Sequence, residues 1–145
     1  MSDANETPPS ISLLPLFFRA LFSILAGLSV TGALSAIADR IMIAVGFFPA
    51  DGSTMADSRF AVALAYRIVF QIGGCALAGR LAKNHPMRIA MILATIGFVG
   101  TAASTLATWN RTDMGPHWYA LAIVITALPC GFVGGLVAER GRSRA

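Results

Sequence analysis

Four long apolar runs dictate what this chain can fold into. The first extends from Leu13 to Ala38 and is interrupted only by Arg19; the second, Phe60 to Ala82, contains Arg67 and then Arg80. The third, Ile89 to Trp109, and the fourth, Trp118 to Ala138, contain no charge at all. About 20 apolar residues in helical form cross a hydrocarbon core of about 30 Å, and each run is that long. Lipid offers the backbone no hydrogen-bond partner, so runs of this kind must satisfy their own amides as helices. The expected fold is therefore all-α: an integral membrane bundle of four transmembrane helices over about 13–38, 60–82, 89–109 and 118–138. Composition agrees, because only 12% of the residues are charged and the mean hydropathy is +0.70. An ordinary soluble domain is about a quarter charged. Half that fraction cannot cover a water-facing surface.

The flanks divide the chain further. Residues 1–12 are polar, include Pro8 and Pro9, and read as a disordered tail. Residues 13–138 form the membrane domain, and residues 139–145 a short basic tail. Residues 41–50 are apolar but too few to span, so they extend the first helix or lie at the interface. Gly46 and Pro49 favour a helix ending near Val45. The stretch from Lys83 to Arg88 is so short that the second and third runs must form a helical hairpin. Ala36-Ile37-Ala38 resembles a signal-peptide cleavage site, but Asp3 and Glu6 precede the single Arg19, and the apolar run is too long for an h-region.

Lysine and arginine in short loops set orientation. With the N-terminus inside, the cytoplasmic side carries Arg19, Arg80, Lys83, Arg88, Arg140, Arg142 and Arg144; the opposite side carries Arg40, Arg59 and Arg111. Seven against three predicts both termini in the cytoplasm. Trp109, Trp118 and Tyr119 then fall at the outer interface, where amphipathic rings settle. The expected location is the cell (inner) membrane, with lipids as the first partners. The net charge of +4 does not indicate nucleic acid, because the basic residues flank apolar runs and make no patch interleaved with aromatics.

Arg67 is the residue that the membrane tolerates least. It lies eight residues inward from Arg59, roughly 12 Å along a helix, where a charge must be paired or must snorkel to the interface. Its natural partner is Asp39, at the outer end of the first helix, with Tyr66 beside it. The pair reads first as an assembly contact, with a site for an anionic substrate or headgroup as the functional alternative. Small residues four apart let helices approach closely; the pairs are Gly32/Ala36, Gly74/Ala78, Gly100/Ser104 and Gly131/Gly135. Gly74, Gly100, Gly131 and Gly135 are thus expected at helix contacts, within the bundle or between copies. Pro129 should kink the fourth helix.

The outer loop gathers Asp113, His117 and Trp118, with one His and one Asp, too few for a metal site. His85 lies on the other side of the membrane. Cys75 and Cys130 sit inside apolar runs and read as small buried hydrophobes. No catalytic residue, metal or cofactor is expected. Gly27, Thr31 and Ala33 recur as Gly97, Thr101 and Ala103, but the two helix pairs would need different offsets, which counts against an internal repeat.

Taken in order, several features resemble a group of small four-helix bacterial membrane proteins. They are Asp39 followed by Gly46 and Pro49, Tyr66-Arg67, Pro86-Met87, Gly115-Pro-His-Trp-Tyr119, and Leu128-Pro129 leading to Gly134-Gly135. The resemblance covers about residues 39–135 and implies the fold but no activity. Membrane glutathione-transferase-like proteins carry a Glu-Arg-x-x-x-Asn run, and quinone-linked disulfide oxidases need paired cysteines; neither is present. The reading this favours is a non-enzymatic membrane subunit or helper acting through helix packing, with itself as a homo-oligomer or with another membrane protein. The alternative is a small oligomeric transporter or pore, lined by Arg67, Gln71, Thr95, Thr101, Ser104 and Thr126. An enzyme acting on a lipid or quinone is the third, and least supported.

Overall fold

The computed structural model describes residues 13–50, 55–82, 85–111 and 115–143. It contains four helices: α1 (Leu13–Ala44), α2 (Asp57–Leu81), α3 (Pro86–Ala107) and α4 (His117–Arg142). All four are long and apolar enough to cross a membrane. The residues 1–12 read as a tail lie outside the described residues.

Helix ends differ from the composition-based boundaries for local reasons. α1 runs on past Asp39 and Arg40 to Ala44, because nothing in Ile41–Ala44 breaks it. It stops at Gly46, whose φ of +75° is the left-handed turn that only glycine adopts cheaply. The amides of Phe47 and Phe48 both donate back to the Met42 carbonyl, at 2.9 and 3.0 Å. At the other end of the molecule, α3 begins at Pro86 and so takes in Arg88, assigned above to the turn. Proline has no amide to leave unpaired and its φ suits the first helical turn. α4 continues through Glu139 to Arg142, part of the expected basic tail, because the run has no breaker there. It is also continuous through Pro129.

For brevity, the end with Ala82 and His85 is called the turn end, and the other the loop end. α2 touches each of the other helices, α4 packs on α2 and α3, and α1 packs on α2 and, less extensively, α3. Among the described residues α1 makes no such contact with α4. The dense core lies at the turn end and is built of small side chains: Cys75, Ala78 and Ala82 of α2 against Ile89, Ala90, Leu93 and Ala94 of α3, with Ala20 and Ile24 of α1 packed on it.

Glycine sets the distances. A β-carbon on Gly134 of α4 would stand 2.6 Å from Cβ of Cys75, 2.8 Å from the Ile72 carbonyl and 3.0 Å from the Ala76 amide. α4 therefore lies directly on the α2 backbone. Gly131 and Gly135 meet α3 instead, at Ala94 and Met87. α1 crosses α2 where Gly27 and Gly74 face each other, each leaving room for the other's carbonyl. Gly100, like Gly32 and Gly73, has open space where a β-carbon would go, so it makes no close contact within one copy. Its side of α3 also holds Ile92, Ile96 and Val99, all outward-facing. Four-residue spacing defines a helix face without saying which way that face points.

A valine at Gly134 is expected to destabilise the protein by about 1–3 kcal/mol or more, since the atoms it would strike are backbone. Gly100→Ala should leave monomer stability unchanged or slightly raised. Thermal unfolding of the detergent-solubilised chain, followed by circular dichroism, compares the two. Equal sensitivity at both positions would contradict this packing.

Candidate functional site

The inner face of α2 follows helical spacing through Phe60, Ala63, Arg67, Gln71, Gly74, Ala78 and Ala82. Two polar side chains thus interrupt a stripe that otherwise packs against protein. Arg67 is ten residues from the start of α2 and fourteen from its end, about 15 and 21 Å along the axis. It is near mid-helix, where an unpaired charge is most costly in lipid.

Its partner comes from α1. Arg67 Nη2 donates to Asp39 Oδ2 at 2.8 Å, an ion pair. The Tyr66 hydroxyl donates to the other carboxylate oxygen, Oδ1. Each Asp39 oxygen thus holds one donor, and the α1–α2 contact is charge-assisted. Tyr119 of α4 interacts electrostatically with both Arg67 and Asp39. The pair is not sealed: the side chains of Arg67 and Asp39 are 37% and 33% exposed. Arg67 Nε, in contrast, is shut off from solvent and has no acceptor.

One turn further along, Gln71 Nε2 reaches the Ala127 carbonyl of α4 at 3.4 Å, with Gly97 of α3 beside it. Thr31 Oγ1 donates to its own helix at Gly27 (2.9 Å) and lies 3.4 Å from the Phe70 carbonyl of α2. Thr101 and Thr126 bond back to their own helices, at 2.8 Å to Gly97 and 2.7 Å to Ala122. These hydroxyls are half-buried and internally satisfied, so they soften the interior without demanding a ligand. Of these residues, Gln71 could be anticipated from its position one turn below Arg67. Thr31 could be anticipated only through its glycine neighbour, and nothing in the sequence links Tyr119 to the pair.

Above Arg67, aromatic side chains close the loop end. Phe60 and Phe48 are buried, and the Phe60 and Tyr119 rings lie 5.1 Å apart. Gly115, with φ +98°, fits against the Phe60 ring. Arg59 stacks over Phe47 at 5.5 Å. His117 does not join Asp39 or Arg67; its Nε2 lies 2.8 Å from the Trp109 carbonyl, and its ring packs on Trp109. Trp118 Nε1 donates to Asp57 at 3.2 Å, tying α4 to the start of α2. Asp113 lies outside the described residues. His117 and Trp118 are thus placed as ties between helix ends. Cys75 and Cys130 are free and buried. Among the described residues, no three His, Cys, Asp or Glu side chains come together as a metal site would need.

No protein-family model, curated protein or solved structure matches this chain. What the residues can do must therefore be argued from their chemistry. In the Asp39–Tyr66–Arg67 group the carboxylate is bonded to both the phenol and the guanidinium. The group can hold two helices together, and it can bind charge.

Breaking the pair leaves one charge without its partner at membrane depth. Arg67→Gln and Asp39→Asn are each expected to destabilise the solubilised protein, by about 1–3 kcal/mol given the partial exposure. The double variant should cost less than the sum of the two. A double-mutant cycle on thermal or denaturant unfolding measures this coupling, and additive single effects would show that the pair adds nothing to folding.

Proposed function

We propose that this chain is a polytopic cell-membrane protein that crosses the bilayer four times with both termini in the cytoplasm, and that it acts as a non-enzymatic subunit or helper through helix packing. The outward faces carry the reading. Leu14, Phe17, Phe22 and Ile37 of α1, Val69 of α2, Val99 and Leu106 of α3 and Ile125 and Phe132 of α4 are all more than half exposed. Water would not tolerate this surface, and acyl chains would. The basic residues at the turn end, including Arg80, Arg88 and Arg140, favour placing that end in the cytoplasm.

A helper role is supported by the way small residues divide between two kinds of surface. Gly27, Gly74, Gly131, Gly134 and Gly135 are used up inside one copy of the chain. Gly32 of α1 and Gly100 of α3 are open, with Ala36 and Ser104 four residues on and likewise exposed. Such faces let a helix of a second copy or of another membrane protein approach closely. The transporter or pore reading draws on Arg67, Gln71, Thr101 and Thr126, all only half-buried.

Two measurements test the proposal. Single cysteines placed near Asn110 and near Arg140 should react with an impermeant thiol reagent from opposite sides of the membrane; labelling from the same side would overturn the topology. Gly100→Leu should weaken association of the chain in nanodiscs, read by native mass or crosslinking, without loss of helix content. A chain that is monomeric before and after this change, and that captures no membrane partner, would count against the helper role.

A further inference from the structure

The burial of the inner faces changes abruptly along the molecule. At the turn end, Gly74, Cys75 and Ala78 of α2, Ala90 and Ala94 of α3, and Ala127, Cys130, Gly131 and Gly134 of α4 are all buried. Beyond that level the inner positions are only half-buried: Thr31, Ser35 and Asp39 of α1, Arg67 and Gln71 of α2, Gly97 and Thr101 of α3, Tyr119 and Thr126 of α4. Burial returns at Phe60 and Ala63, under the aromatic cap. α1 is pinned near its middle, where Gly27 meets both Gly74 and Leu93. At Asp39 its bonded partners are on α2 alone. The result is a wedge between α1 and the α3–α4 pair, floored by α2, with Arg67 and Asp39 in it.

We propose that this wedge is a binding site for a compact zwitterion, whose anionic group lies on the Arg67 guanidinium and whose cationic group lies on the Asp39 carboxylate. Charge balance and open hydrogen-bonding positions on the pair favour this class of ligand. A guanidinium has five N–H donors; Nη2 of Arg67 meets Asp39, and a further side-chain hydrogen bond links Arg67 to Tyr66. Nε is buried without an acceptor, so an incoming anionic group would meet the guanidinium at its η nitrogens. Asp39 has one donor on each oxygen, and a carboxylate accepts about four. The resident pair is neutral as a whole. An anion or a cation alone would add net charge at membrane depth, which is expensive, whereas a zwitterion adds none. The two resident charges belong to different helices, so a ligand spanning them bridges α1 and α2. The site is independent of whether the outward faces bind a second copy.

Such a ligand has two sources: a free amino-acid-like solute and the phosphoethanolamine headgroup of a lipid. The solubilised full-length chain is titrated with glycine and with phosphoethanolamine, following thermal stability and calorimetric heat, with acetate and methylammonium as single-charge controls. Lipid retention is read in parallel by native mass spectrometry after reconstitution with phosphatidylethanolamine or phosphatidylglycerol. A saturable response to a free zwitterion, larger than to either control, assigns the site to a solute. Selective retention of phosphatidylethanolamine without that response assigns it to a headgroup. In both cases the effect must vanish in Asp39→Asn/Arg67→Gln, which keeps the pair neutral. Should that variant fail to fold, Arg67→Lys serves instead: it keeps the charge but loses the planar donor fork, and binding should weaken by about tenfold. No response to any zwitterion, equal responses to acetate or methylammonium, or binding that survives these substitutions would overturn the site.

Discussion

Helices in hydrocarbon gain little from hiding apolar side chains from one another, because lipid tails are as apolar as leucine. What holds them is close contact, and contact is closest where no side chain intervenes. In this chain that condition is met at a few places: Gly27 against Gly74, Gly134 against Cys75 and the Ile72 carbonyl, and Gly131 against Ala94. Backbones brought this near gain dispersion over many atoms at once. All three contacts lie in or near the dense half of the molecule. The arrangement of α2, α3 and α4 depends on them, and α1 depends on the first.

The remaining half is held by polarity and aromatic rings. The Asp39–Arg67 pair, supported by Tyr66, fixes the far end of α1 to α2. Towards the loop end the Phe60 and Tyr119 rings pack together and Phe48 is buried. These two devices differ in character. The glycine contacts are dry and tolerate almost no added volume, whereas the pair is partly open and uses directional bonds that a ligand could extend. Rigidity at one end and chemistry at the other is a sensible division for a chain with so little charge.

The sequence makes some of this legible and hides the rest, for physical reasons. Length and composition suffice to find four helices, since a run of apolar residues in lipid has one backbone solution. Helix ends are harder. Leu13–Ala44 is longer than its most apolar part because a helix continues until a residue such as Gly46 stops it. Pairing Asp39 with Arg67 follows from the cost of a lone charge, a long-range inference that needs no packing detail. Which glycine meets which helix does not follow: Gly131, Gly134 and Gly135 are nearly adjacent, yet Gly134 faces α2 and the other two face α3. Gly74 and Gly100 carry the same small-residue spacing, and one is buried while the other is open. Nor does the sequence link Tyr119 to the ion pair, with which it interacts electrostatically.

For a chain inserted helix by helix into a bilayer, the ion pair would also impose an order on biosynthesis. α1 leaves the ribosome before α2, carrying Asp39 with no partner. A single Arg near the centre of an inserting helix costs about 2.5–3.5 kcal/mol, and pairing with Asp39 would offset part of that for Arg67. α1 would thus linger at the translocon until Arg67 emerges, and the two would enter the bilayer as a neutral hairpin. α3 and α4, whose charges lie only in the end turns at Arg88, Glu139, Arg140 and Arg142, would need no such chaperoning. A charge pair that fastens two helices in the finished protein would then have served first as their joint ticket of entry.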